Sequence, residues 1–365
     1  MKDMIKVFLV DDSAVVRHQI TKMIVESQRN IKVIGGAPNG KVALIKMALP
    51  RYRPDVVLVD AIMPEMDGFE TIKHIMDQFP TPVILVSGLT RKEVNRSLSN
   101  LGMSIFESGG VEFVKKPDPM VLNDINRFKR ELFFKITSLS QIDLARAYAG
   151  FDFKKFLQEE EVEKPALEIK PEVISEKFSD SLLIIGASTG GPRAISLILS
   201  KIPPTSPPII IVQHMPEAMV DPWVKRLQSL YPQLDIKIPI NKEKILPNRI
   251  YIAPGGKHCS IKRDKTFHLF VDERVNFVIP AIDVTFTSAA DVYKQNVLGI
   301  VLTGMGKDGL IGAEKIKTVG GKIIAEHEST CVIPSMPKAI IEGKYADEVV
   351  PLHNIPIIIR KYGWI

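Results

Sequence analysis

Between residues 1 and 138, short apolar runs alternate with longer stretches in which apolar positions recur every three or four residues. The runs are "IKVFLV", "IKVIGGA", "DVVLVD", "PVILVS" and "VEFVKK". Each is short, rich in β-branched residues and apolar at consecutive positions, which predicts strands buried on both faces. Strand and helix alternating five times over predict a parallel sheet covered on both sides. From 139 to 180 the pattern fails, and "LQEEEVEKPALEIKPEV" offers charge and proline without a sustained apolar period, as a linker does. A second alternating series begins at "SLLIIGAS", runs through "PPIIIVQHM", "RIYIAPGG", "HLFVDE", "VLGIVLTGMG" and "GGKIIAEHE", and closes near "ADEVVPL". The prediction is two α/β domains in tandem: a five-stranded parallel-sheet domain at 1–138, a linker at 139–180, and a doubly wound domain at 181–365.

Composition changes this picture little. With 365 residues, 45% hydrophobic and 25% charged, the chain is long enough for two cores and ordinary for globular domains. No charged segment followed by an apolar stretch opens it, and no apolar run reaches bilayer-spanning length, so a cytoplasmic protein without membrane insertion is expected. The two cysteines, Cys259 and Cys331, lack ligand spacing and read as small buried groups rather than a disulfide or zinc site. The net charge of +6 is spread along the chain, without the concentrated basic run of a nucleic-acid footprint.

Chemistry enters at the ends of the strands. In an open parallel sheet the carboxyl ends of the strands share one edge, so residues just beyond them meet despite distant numbering. Asp11 and Asp12 follow the first strand, Asp60 ends the third, Ser87 ends the fourth, and Lys116 follows the fifth. Clustered carboxylates suit Mg²⁺, a hard cation that prefers oxygen ligands. Asp60 then stands as a nucleophile toward phosphorus, with Lys116 and Ser87 placed to stabilise an acyl phosphate. This half resembles the receiver domains of two-component response regulators over about the first 125 residues, including "MPEMDG" after Asp60. The resemblance implies a flavodoxin-like fold and phosphorylation of Asp60. It also implies a metal held by Asp11, Asp12, Asp60 and the main-chain carbonyl of Ile62, with Ser87, Lys116 and the aromatic Phe113 reading the phosphorylated state.

The second half opens with "LLIIGASTGG", a strand breaking into glycines around Ser188. A dinucleotide fingerprint fails, because its second glycine would be Ser188 itself. The same residues fit G-x-S-x-G from Gly186 to Gly190 between a strand and a helix, a turn that exposes a serine oxygen at the sheet edge. Alone, that pattern is equally a phosphate loop or a tight turn. A nucleophilic serine needs a base and a carboxylate to orient it. "IIIVQHM" puts His214 directly after the next strand, and "GIVLTGMGKDG" puts Asp308 in a glycine-rich loop after a later one. Three convergent strand-end positions favour a triad, in a chain order unlike the common α/β-hydrolases.

"IGASTGG", "QHMP", "APGG", "LTGMGKDG" and "GGKIIAEHE", in this order behind a receiver-like half, resemble the catalytic domain of the CheB family of chemotaxis protein-glutamate methylesterases, from about 181 to 353. The resemblance implies Ser188 as nucleophile, His214 as general base and Asp308 as orienting carboxylate. The Met305 N–H would be the oxyanion donor, with Thr189 beside the nucleophile. It further implies hydrolysis of glutamate γ-methyl esters on chemoreceptors, with deamidation of receptor glutamine, under control of a chemotaxis histidine kinase. The esterase reaction needs no cofactor, and an unphosphorylated receiver is expected to restrain it. Glu326 and His327 stand where that family has glutamine and aspartate, Ser335 replaces a glycine, and Ala281 replaces a serine; these departures bear on the substrate groove. A DNA-binding regulator would need a recognition helix after the linker, where strand-glycine turns stand instead. A small-molecule esterase under receiver control is the remaining rival.

Overall fold

The structure is a computed structural model and describes residues 4–88, 110–118, 120–142, 144, 178 and 180–365. It divides into two compact units, Met1–Ala147 and Tyr148–Ile365. Most of the stretch read as a linker, 139–180, lies outside the described residues.

In the first unit the chain runs β1 (Ile5–Val10), α1 (Ala14–Glu26), β2 (Ile31–Ala37), α2 (Gly40–Met47), β3 (Val56–Asp60), α3 (Gly68–Gln78), β4 (Val83–Ser87), β5 (Val111–Lys115) and α4 (Leu122–Leu139). The five strands are parallel and ordered β2-β1-β3-β4-β5. All of β3 and β4 is buried, as strands covered on both faces must be. Three helices begin at side-chain caps: the Ser13 hydroxyl accepts from Val16 N, the Asn39 carbonyl from Val42 N and the Asp67 carboxylate from Glu70 N. Each satisfies one of the orphan donors of a helix start. The chain passes from β1 outward to β2 and then returns to β3 on the other side. The strand ends of β1 and β3 therefore flank the crevice where such sheets bind ligands.

The second unit runs β6 (Leu182–Ala187), α5 (Gly191–Leu199), β7 (Ile209–Gln213), α6 (Glu217–Leu230), β8 (Asp235–Lys237), β9 (Arg249–Ile252), β10 (His258–Ile261), β11 (Phe267–Phe270) and α7 (Ile282–Tyr293). It continues through β12 (Val297–Val301), α8 (Leu310–Thr318), β13 (Lys322–Glu326), α9 (Ser335–Glu342), β14 (Glu348–Val350) and α10 (Ile355–Lys361). Seven parallel strands are ordered β14-β13-β12-β6-β7-β9-β8. Trp223, Tyr251, Phe267 and Phe286 are fully enclosed in this unit. One expectation is corrected. "HLFVDE" contributes β11, which does not join the parallel series but pairs antiparallel with β10 in a separate hairpin, His258 opposite Phe270. The chain again reverses its direction of winding, here between β6 and β12, so Ser188 and the loop after β12 flank the second crevice.

Candidate active site

At the crevice of the first sheet, carboxylate oxygens of Asp11, Asp12 and Asp60 all lie within 4.8 Å of one another. The Lys116 ammonium donates to Asp60 Oδ2 at 2.7 Å and to Asp11 Oδ2 at 3.0 Å. Burial pushes the Asp60 carboxyl up, and Lys116 offsets this in part while Asp11 adds to it. Burial works against charge on Lys116 too, but its two carboxylate partners outweigh that and raise its pKa. Three oxygen donors crowded beside one ammonium are a donor set that fits a hard divalent cation. Ser87, almost fully buried at the end of β4, accepts at its main-chain oxygen from Lys116 N at 2.9 Å. Phe113 is half-buried on β5, where its carbonyl accepts from Lys135 Nζ at 2.6 Å. Ile62 lies in the loop after β3 and is well exposed.

In the second unit β6 and β7 pair in register, Ala187 opposite Gln213, so Ser188 and His214 leave adjacent strand ends together. His214 N donates to Ala187 O at 3.0 Å, tying the two ends. Gln213, a residue that sequence reasoning passed over, acts as a splint. Its Nε2 donates to Ser188 O and to His214 O, each at 2.9 Å. Ser188 N donates to Thr303 O at 3.0 Å, which joins the serine turn to the loop after β12. Gly190 holds φ +81° at the start of α5, and a Cβ there would stand 2.6 Å from Val332 Cγ2. Gly304 lies so close to the serine that a Cβ on it would reach 2.7 Å from Ser188 Cβ. Both glycines are required for the turn to close.

His214 Nε2 meets Asp308 Oδ2 at 2.8 Å, while the other ring nitrogen, Nδ1, is buried and lacks a hydrogen-bond partner among the described residues. Asp308 is held from several sides. Ile282 N donates to its Oδ2 at 2.6 Å, and Asp283 N, Asn276 Nδ2 and Gly309 N donate to Oδ1 at 3.1 Å. The first two are the opening N–H groups of α7, so Asp308 caps that helix from 26 residues away, and the helix dipole favours its charge. Burial alone would raise its pKa, but His214 and these N–H donors outweigh it and hold the carboxyl below its ordinary range. Asp283 behaves oppositely. Burial and the neighbouring Asp308 push it up to about 6, although Gly312 N and Asn276 Nδ2 each donate to it at 2.8 Å. Asn276 thus bridges two carboxylates, and no motif signals it. It sits with Phe277 at positive φ in a turn between Val275 and Val278 that lacks the glycine such turns advertise.

Met305 and Thr189 are both buried, and the Met305 N–H donates to no acceptor among the described residues. His258 proves structural: it is buried, its Nε2 lies 2.9 Å from Glu273 O, and its Nδ1 accepts from Ala281 N at 3.3 Å just before α7. Glu326, at the end of β13, is fully buried and accepts from Thr303 N at 2.8 Å. Ser335 donates to Gly304 O at 2.9 Å and accepts from Gly306 N at 3.2 Å, bracing the same loop.

Two family models match the chain: the CheB methylesterase model over residues 183–359 and the response regulator receiver domain over 7–122. A protein-glutamate methylesterase/protein-glutamine glutaminase of Thermotoga maritima is 37% identical over 356 residues, covering 96% of both chains. A protein of the same name from Methanococcus maripaludis is 34% identical over 368 residues, covering 98% of both. Among solved structures, the CheB methylesterase catalytic domain of Thermotoga maritima is 41% identical, covering 50% of this chain and 98% of that one at a TM-score of 0.48. With near-complete coverage of such relatives at this identity, and both halves matched in the same order, the chain belongs to the CheB family of protein-glutamate methylesterases.

Proposed function

We propose that Ser188, His214 and Asp308 carry out the protein-glutamate methylesterase reaction of this family, under control of a phosphoryl group on Asp60. The observation that carries the esterase reading is the 2.8 Å contact of His214 with a charge-stabilised Asp308, which leaves the second ring nitrogen buried and unpaired beside the serine turn. With Nε2–H donated to Asp308, Nδ1 bears the lone pair of a general base. Ser188 Oγ attacks the carbonyl of a glutamate γ-methyl ester as its proton passes to His214. Asp308 stabilises the imidazolium, and the Met305 N–H donates to the developing oxyanion. The proton then leaves with methanol, and water admitted to the acyl-enzyme regenerates serine and releases glutamate. A glutamine side chain follows the same course with ammonia as leaving group. The substrates are methyl-accepting chemoreceptors.

In the receiver, the Asp60 carboxylate attacks the phosphorus of a phosphohistidine on a chemotaxis histidine kinase, the P–N bond breaks with the kinase imidazole as leaving group, and Lys116 pairs with the phosphoryl oxygens. The carboxylates of Asp11, Asp12 and Asp60, with the Ile62 carbonyl, would hold Mg²⁺, which supplies neutralising charge when bound. Among the described residues no helix is long and apolar enough to cross a membrane. The reading places the enzyme in the cytoplasm, where receptors present their methylated helices, and gives it no nucleic-acid partner. Methanol release from methylated receptor membranes tests it. Ser188→Ala should lower turnover by roughly 10⁴-fold or more, because triad members act as a unit. Near-normal release by a folded Ser188→Ala protein would overturn the assignment.

A further inference from the structure

One buried ionisable group stands beside the catalytic machinery without a part in the reaction. Glu326 closes β13 with no exposed surface. Its Oε2 accepts from Thr303 N at 2.8 Å, and its Oε1 is buried with no partner at hydrogen-bond distance among the described residues. Thr303 is the hub of the serine turn. Its main-chain oxygen accepts from Ser188 N at 3.0 Å, and its hydroxyl, which accepts from Ile333 N, lies 3.0 Å from Thr189 O. The same loop continues through Gly304 to Met305. A single chain of bonds therefore runs from the Glu326 carboxyl to the nucleophile turn and into the loop that carries the Met305 N–H.

We propose that Glu326 is a positioning residue that seats Ser188 through Thr303 in its neutral form, and that its ionisation slows the esterase on the alkaline side. The inference rests on Ser188 being the nucleophile and goes beyond that assignment. Burial in this enclosure outweighs Thr303 N, the Thr330 and Cys331 side chains and Arg193, which favour the ionised carboxylate. Its charge would face the loop whose N–H groups receive the oxyanion, so it opposes the negative charge that develops in the transition state. Burial, the dominant influence, pushes Glu326 up to about 7, placing the change inside the working range.

The surroundings leave little to compensate the charge. Thr330, Arg193 on α5 and Cys331 each lower the Glu326 pKa, and only in part. Cys331, in the loop returning from β13, donates through Sγ to the Glu326 main-chain oxygen at 3.8 Å, and its thiol is itself driven up by burial and by Glu326. Glu328 in that loop is exposed and adds negative charge. The flanking strand β12 carries no ionisable side chain, and Glu348 on β14 pairs with Lys361 at 3.0 Å. On α9, Lys338 pairs with Glu342 at 3.7 Å.

The test compares wild type, Glu326→Gln, Glu326→Ala and Ser188→Ala as full-length chains, measuring kcat for methanol release from methylated receptor membranes across pH. Wild-type kcat should fall on the alkaline side through a limb near the Glu326 midpoint. Glutamine is neutral, isosteric and able to accept from Thr303 N. Glu326→Gln should therefore lack the alkaline limb and exceed wild type there by roughly tenfold, which corresponds to about 1.4 kcal/mol of barrier. Glu326→Ala, with Thr303 N–H left unsatisfied, should be slow at every pH. An unchanged alkaline limb in Glu326→Gln, or a loss at all pH values matching that of alanine, would overturn the proposal. Thermal unfolding gives an independent reading. A carboxyl whose pKa is raised by folding contributes stability at low pH and loses it as pH rises through the folded value. Wild type should thus lose melting temperature across that range relative to Glu326→Gln. If Ser188→Ala retains activity while this stability difference persists, the nucleophile assignment has failed and the titration of Glu326 has not.

Discussion

Asp308 and Asp283 are two carboxylates of like burial whose ionisation diverges because their donors differ. Asp308 collects a histidine and several N–H groups, whereas Asp283 has burial and a charged neighbour against it. The consequence for stability has a definite sign. The Asp283 pKa rises from 3.8 to about 6 on folding, so its contribution is present below 3.8 and is lost as pH climbs through about 6. Asp308 is lowered, so its contribution is present above the ordinary carboxylate range and is lost as pH falls below it. The two windows do not overlap. Asp283→Asn should remove the first, leaving the catalytic unit more stable relative to wild type above that window than below it, by an amount on the order of 1–3 kcal/mol. Both tryptophans, Trp223 and Trp364, lie in the second unit, so fluorescence during denaturation on either side of the window reports that unit alone. Sequence alone singled out Ser188, His214 and Asp308, because each follows a strand and Ser188 and Asp308 stand in short, glycine-marked turns; the structure puts the last two in contact. Asn276 and Gln213 escaped for a physical reason. Their work is to bridge groups distant in sequence, and no local spacing encodes a bridge.

At the scale of elements, the parallel strands were legible because burial on both faces leaves unbroken apolar runs such as "IIIV" and "VVLV". Two strands were not. β8 is the three residues "DIK" with one buried position, and β10, "HCSI", has too mixed a pattern to signal a strand. Without β10, the neighbouring "HLF" reads as one more member of the parallel series, although its partner lies next to it in a hairpin. The turn before α5 was legible because glycine reports its own necessity. Gly190→Ala would strain a residue at φ +81° and press a methyl group against Val332. It should cost about 1–2 kcal/mol from the left-handed backbone alone and should move the Ser188 turn. A lowered melting temperature together with slower covalent labelling of Ser188 by a fluorophosphonate is the expected outcome. Labelling at the wild-type rate would show that the turn tolerates a side chain.

Across the whole molecule, both units place their chemistry where the winding of a parallel sheet reverses, at β1/β3 and at β6/β12. The receiver assignment predicts that acetyl phosphate with Mg²⁺ adds one phosphoryl group to the wild-type chain and none to Asp60→Asn, as intact-mass spectrometry would record. An unchanged label in Asp60→Asn would remove Asp60 from its role. The tie between Asp308 and α7 has a practical side. That carboxylate is at once the partner of His214 and the clasp of a helix whose Phe286 is sealed in the core. A catalytically silent form intended as bait for receptors is therefore better made at Ser188, whose hydroxyl has no hydrogen-bond partner among the described residues. Silencing the chain at Asp308 would also loosen the frame, and an experimenter would mistake a damaged scaffold for a chemical defect.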